Sequence, residues 1–133
     1  MQAVHVQDAP DAIGPYCHAM KAGNLVFCSG QTPLDPKTMK LVGSTIEEQT
    51  HRVLDNLSIV LASVGLSLKD IVKTTVYLYD MNDFQGLNTV YAERFQGHKP
   101  SRTTISIKKN PLDALVEIEC IAELPSRSGR GTS

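Results

Sequence analysis

The chain contains no tryptophan, and aromatic residues make up only 5% of its 133 positions. A stacking platform for nucleic-acid bases is therefore not expected. It also lacks an excess of positive charge: 13 lysines and arginines against 14 acidic residues leave a net charge of -1. No field of that size draws a polyanion or an anionic membrane. No apolar run approaches the ~20 residues that cross a bilayer. No basic segment followed by an apolar one opens the chain, so no secretory leader is expected. The four histidines (His5, His18, His51, His98) show no metal-ligand spacing. There is no phosphate-cradling glycine loop and no dinucleotide fingerprint. The three cysteines form no CxxC pair, which points to reduced, buried thiols in a reducing compartment. The expected location is the cytoplasm, with a mitochondrial one also open.

What is present reads as one domain over residues 1–125, followed by a Ser/Gly/Arg-rich tail, 126–133, expected to be disordered. Short strands are expected at Ala3–Val6, Tyr16–Met20 and Leu25–Ser29, the last two joined at Lys21–Asn24 by hairpin chemistry. Ser29-Gly30-Gln31 should break the third strand, and Thr32–Gly43, with Pro33 and Pro36, should be an exposed loop. Ser44 or Thr45, with Glu47 and Glu48 three residues on, predicts a capped helix. Its apolar stripe runs through Ile46, Val53, Leu54, Leu57, Val60 and Leu61, and Gly65 should end it.

Ile71–Tyr79 reads as a strand, with Ile71, Lys73, Thr75 and Tyr77 on one face and Val72, Thr74, Val76 and Leu78 on the other. A second helix is expected over Phe84–Phe95, with Phe84, Leu87, Tyr91 and Phe95 as its stripe. Two strands follow, around a turn at Asn110-Pro111. In the last, Val116, Ile118, Cys120 and Ala122 alternate with Leu115, Glu117, Glu119, Ile121 and Glu123. The order β-β-β-α-β-α-β-β predicts an α+β sandwich: a six-stranded mixed sheet with both helices on one face. The opposite face carries both charged and apolar residues, which predicts a subunit interface containing a polar pocket.

The candidate chemistry lies in Pro100–Glu123. Arg102 can bind a carboxylate through two parallel hydrogen bonds. Glu117 and Glu119, roughly 7 Å apart on one strand face, can hold a water or pair with a cation. Tyr16 can donate a phenol hydrogen bond, and Ser29-Gly30-Gln31 can offer backbone groups to a small ligand. Strand parity is read as placing Arg102 and Glu117 on the same sheet face, away from the helices.

Six segments occur in order: Ala12-Ile13-Gly14-Pro15-Tyr16, Ser29-Gly30-Gln31, Asp55-Asn56-Leu57, Asp70 to Tyr77, Pro100-Ser101-Arg102 and Val116-Glu117-Ile118-Glu119. Together they resemble the RidA (reactive intermediate deaminase A, or YjgF) family, over residues 3–124. The resemblance implies a chorismate-mutase-like fold and a homotrimer with a ligand cleft between neighbours. It implies hydrolysis of 2-imino acids such as 2-iminopropanoate and 2-iminobutanoate to 2-oxo acids and ammonia, without cofactor or metal. It assigns Arg102 to the substrate carboxylate and Glu117 to the water, with Tyr16, Ser29 and Gly30 lining the cleft. Thr104 stands where some members have cysteine. Asn110, after Lys108-Lys109, stands where leucine is common, which puts cleft-edge charge and preferred substrate in question. The other reading is a non-catalytic ligand-binding or chaperone-like trimer.

Overall fold

The computed structural model describes residues 1–125; the expected tail, 126–133, lies outside them. Six strands, β1 (Gln2–Val4), β2 (Ala19–Ala22), β3 (Leu25–Gln31), β4 (Ile71–Leu78), β5 (Ser101–Ser106) and β6 (Val116–Glu123), form one sheet in the order β1-β2-β3-β6-β4-β5. Two helices, α1 (Ile46–Ala62) and α2 (Phe84–Phe95), complete the fold. All neighbours are antiparallel except β4 and β5, which α2 joins as a parallel crossover.

Local chemistry places the elements. Gly23, at φ 61°, turns β2 into β3. The capping box at the start of α1 is complete: Glu48 N–H donates to Thr45 Oγ1 at 3.2 Å, and Glu48 Oε1 accepts from Ser44 and Thr45 amides. Such a cap stabilises a helix by about 1 kcal/mol. The α1 stripe of Val53, Leu54, Leu57, Val60 and Leu61 is fully buried. It meets the sheet residues Val26, Val76, Leu78, Val116, Ile118 and Ala122 in one core. No helix among the described residues is long and apolar enough to cross a membrane.

The architecture is the expected one, with four local differences. Strand β2 begins three residues late, at Ala19: before it, the Cys17 carbonyl accepts from the Ser29 hydroxyl, and the His18 ring bonds Val6 and Pro10. Strand β3 does not break at Ser29 but continues to Gln31, with its register against β6 shifting between Cys28 and Gln31. The 32–43 segment is not simply exposed: Pro33 and Leu34 are buried, and Asn56 Nδ2 donates to the Thr32 and Leu34 carbonyls. Finally, Ile71 pairs with Ala122 and Lys73 with Ile121, so Val72 is an extra residue in a bulge. The bulge puts Ile71 in the core and exposes Val72, reversing the expected parity at that end of β4.

Among the described residues the second sheet face has no covering layer. Phe27 (42% exposed) and Ile105 (41%) stand on it with Ile121, Tyr77, Glu117 and Glu119.

Candidate active site: two half-sites on opposite faces

Glu117 sits near the start of β6, on the open face, beside the irregular end of β3. The register shift there brings Gly30 against the Glu117 carboxylate. A methyl group built on Gly30 would overlap Glu117 Oε2, so only glycine leaves this space. The carboxylate borders a cavity of about 70 Å³ whose wall includes Tyr16, His18, Gly30, Gln31 and Pro111. Burial raises the Glu117 carboxyl above the usual carboxylate range, and the neighbouring Glu119 charge adds to the shift. Glu119 has a partner of its own: it accepts the Tyr77 hydroxyl at 3.0 Å.

The N-terminal segment supplies the outer wall. Tyr16 is half-exposed at its lip, and its oxygen accepts from Ile13 N–H at 3.4 Å. Ser29 does not line this cavity; its hydroxyl donates to the Cys17 carbonyl at 2.8 Å and anchors the segment to β3. Pro111 reaches the cavity from the β5–β6 turn. Asn110, expected to affect the cleft edge, is instead buried inside that turn. Its amide nitrogen donates to the carbonyls of Tyr77 and Ala114, and its carbonyl oxygen has no partner.

Arg102 is placed differently. It pairs in register with Thr74, which is buried beneath α2 and hydrogen-bonds Tyr91 at 2.7 Å. The guanidinium carbon lies 4.8 Å from the Tyr91 ring centre and 5.6 Å from that of Phe84. Both are cation–π distances. Among the described residues no carboxylate forms an ion pair with Arg102. It borders an open pocket of about 450 Å³ with Asn88, Tyr91, His98 and Pro100. Thr104, on the same side of β5, buries a hydroxyl without a partner.

Arg102 and Glu117 therefore lie on opposite faces, not on one. Arg102 aligns with Thr74 and Cys120, whereas Glu117 aligns with Tyr77 and Ile105. Two strand spacings and three residues of rise separate them by roughly 14 Å, before the sheet thickness is counted. Strand β5 contains no buried residue, so alternation along it does not report which side faces the core. Ile105 there faces outward, and the polar residues occupy the helix side. The aromatic cradle of Phe84 and Tyr91 was visible only as a helical stripe, and half of it is not core: Phe84 remains 37% exposed while Val90 takes its place inside. Among the cavity residues, Gln31 was marked only through the Ser29-Gly30-Gln31 segment, Pro111 only as a turn residue, and His18 not at all.

The family model for Endoribonuclease L-PSP matches residues 6–124. A RutC family protein of Pyrococcus horikoshii is 48% identical over 121 residues, covering 91% of this chain and 96% of its own. The chloroplastic Reactive Intermediate Deaminase A of Arabidopsis thaliana is 44% identical over 123 residues, covering 92% of this chain and 66% of its own. Among solved structures, E. coli TdcF with bound serine superposes with a TM-score of 0.88 at 36% identity, over 94% of this chain and 100% of its own. A match across nearly the whole domain, on the sheet order and the motifs described above, makes this chain a member of the RidA/YjgF family, the family of the Endoribonuclease L-PSP model.

Proposed function

We propose that the protein hydrolyses small 2-imino acids, such as 2-iminopropanoate and 2-iminobutanoate, to 2-oxo acids and ammonia. The reaction would take place in clefts where Arg102 of one subunit meets the Glu117 cavity of the next in a homotrimer. The observation that carries this reading is the presence of two incomplete half-sites on one chain. Among the described residues, one holds an arginine on an aromatic cradle with no carboxylate paired to it, and the other a half-buried glutamate with no cation paired to it.

The chemistry needs little else. Arg102 would bind the substrate carboxylate, a charge-assisted contact worth roughly 1.5–3 kcal/mol. Glu117, ionised, accepts a proton from water as that water adds to the iminium carbon. Glu117 hands that proton to the nitrogen of the carbinolamine. As the C–N bond breaks and ammonia leaves, the ionised Glu117 takes the hydroxyl proton, the carbonyl forms, and the proton is released to ammonia. A carboxyl raised toward the working pH is the better base, and its charge favours the cationic imine. Gly30 gives the water and the carboxylate room. Tyr16 contributes the lip of the cleft and Gly30 its floor, while Ser29 holds the segment that carries Tyr16 against β3. Serine, the ligand carried by TdcF, presents the same carboxylate next to a carbon bearing nitrogen. The half-exposed Phe27 and Ile105 supply the apolar contact an oligomer would cover.

Mixing tests the shared site. Arg102→Ala and Glu117→Gln subunits, each impaired alone at substrate concentrations below the wild-type KM, are unfolded together and reassembled. About a quarter of the clefts then recover both residues if neighbours share them. Clearance of 2-iminopropanoate made by a serine dehydratase is the readout. No recovery in confirmed mixed oligomers rejects the shared cleft.

A further inference from the structure

His18 is almost wholly buried and its ring spans two elements. Val6 N–H meets Nδ1 at 2.9 Å, and the Pro10 carbonyl meets Nε2 at 2.8 Å. A backbone amide can only donate, so Nδ1 must present its lone pair. Nε2 then carries the ring hydrogen and donates to Pro10. Both bonds exist only for the neutral ring; a second proton sets N–H against N–H at Nδ1. The backbone of His18 is fixed at the same time, its N–H donating to Val4 O and its carbonyl accepting from Ser29 N–H, each at 3.0 Å.

The ring therefore ties down a segment with few other holds. Beyond the two ring bonds, the hydrogen bonds of residues 6–16 among the described residues are local: Ala9 N–H to Val6 O, Tyr16 N–H to Gly14 O and Ile13 N–H to Tyr16 Oη. Burial of Val6, Ala9 and Pro10 supplies the rest of its anchorage. That segment is the outer wall of the Glu117 cavity, through Asp11, Ala12, Ile13 and Tyr16. Histidine is the side chain that changes charge in the physiological pH range.

We propose that His18 is a positioning residue whose neutral ring latches the 5–16 segment over the Glu117 cavity, so that acid opens the cleft. The titratable groups around the ring are few. His5 approaches edge-on, with ring centres 6.5 Å apart, and Asp11, Tyr16 and Glu117 share the cavities His18 borders. The consequence for turnover rests on the deaminase reading; the latch itself does not.

Amide exchange by NMR on the intact protein tests it. Protection of the Val6 amide is compared with that of Val26, in the sheet core, near pH ~7.5 and ~5. The wild type should lose Val6 protection at least about tenfold relative to Val26 at the lower pH. His18→Gln, whose amide can accept and donate without titrating, should hold the ratio constant. In a Glu117→Gln background, the Kd of pyruvate should rise on acidification with His18 present and stay level with His18→Gln. An unchanged Val6 ratio in the wild type, or the same loss in His18→Gln, overturns the latch. Should His18→Gln fail to fold, long-range 1H–15N spectra of the wild-type imidazole decide instead: a ring that titrates while Val6 stays protected also overturns it. The exchange measurement needs no substrate, so an inactive protein would sink the deaminase reading and leave this result standing.

Discussion

The Glu117 half of the site and the Arg102 half are built by different means. Around Glu117, the chain assembles an enclosed cavity from four distant pieces: the N-terminal segment, the end of β3, the β5–β6 turn and β6. Around Arg102 there is an edge strand, one face of α2 and an open pocket several times larger. The first half fixes a single carboxylate tightly and raises its proton affinity through burial. The second holds a permanent cation against two rings and leaves its outward side free. The difference teaches that the chain by itself encloses the carboxylate whose proton affinity it raises, and leaves the cation on an open surface; under the proposed function, assembly would complete that second half.

Breaking each half separately tests the contrast. The largest effect is expected from Glu117→Gln, which keeps the shape and removes the base. It should lower kcat for imine clearance by about 10²- to 10⁴-fold while 2-oxo acid affinity changes little, as checked by a coupled dehydratase assay and calorimetry. Arg102→Ala should raise KM and weaken 2-oxo acid binding by roughly 10- to 100-fold, the loss of a charge-assisted contact. Arg102→Lys should recover only part of it, since an ammonium cannot form the planar fork. Should Arg102→Ala leave binding intact and lower kcat alone, the division between a binding half and a reacting half is wrong.

Gly30→Ala comes next. The added methyl must displace the Glu117 carboxylate, so a loss of about tenfold in kcat is expected from misplacement of the base. A crystal structure of the variant should show the carboxylate moved. The smallest effect concerns pH and stability. The folded-state carboxyl of Glu117 is raised, so folding is favoured more in acid, and that contribution is lost as pH rises through the raised value. Activity follows the opposite sense, because the ionised form is the base. Glu117→Gln should therefore melt slightly above the wild type at neutral pH, with the gap closing as the pH falls below about 4. Parallel melting curves across that range would mean that burial does not set the charge state of Glu117.

The two halves were not equally legible. Alternation in Val116–Glu123 and the capping box at Thr45 fixed α1 and β6 on their correct sides, because hydrophobic period and cap chemistry are local signals. Arg102 was legible as a residue type in a Pro-Ser-Arg run. Its face was not, because parity along a short edge strand has no reference until its neighbour Thr74 is known. The bulge at Val72 shows the same limit, since one inserted residue reverses every side chain on one side of it. The cavity wall was least legible. His18, Gln31 and Pro111 meet only through the return of β3 against β6, a contact between residues nearly ninety apart in the chain.

Strand β5 ends the sheet, bonded to β4 alone. Among the described residues its outer edge has no strand beside it, and the strand is also the one that carries Arg102. Under the proposed function, recognition of a metabolite and recognition of another copy would fall to the same six residues. A substitution that dulls this edge against unwanted self-association, such as an inward-facing proline or a lysine in place of Ile105, would disturb the arginine as well. Solubility and substrate affinity should consequently drift together among variants of Ser101–Ser106, and stay uncoupled among variants of β1 at the other end of the sheet.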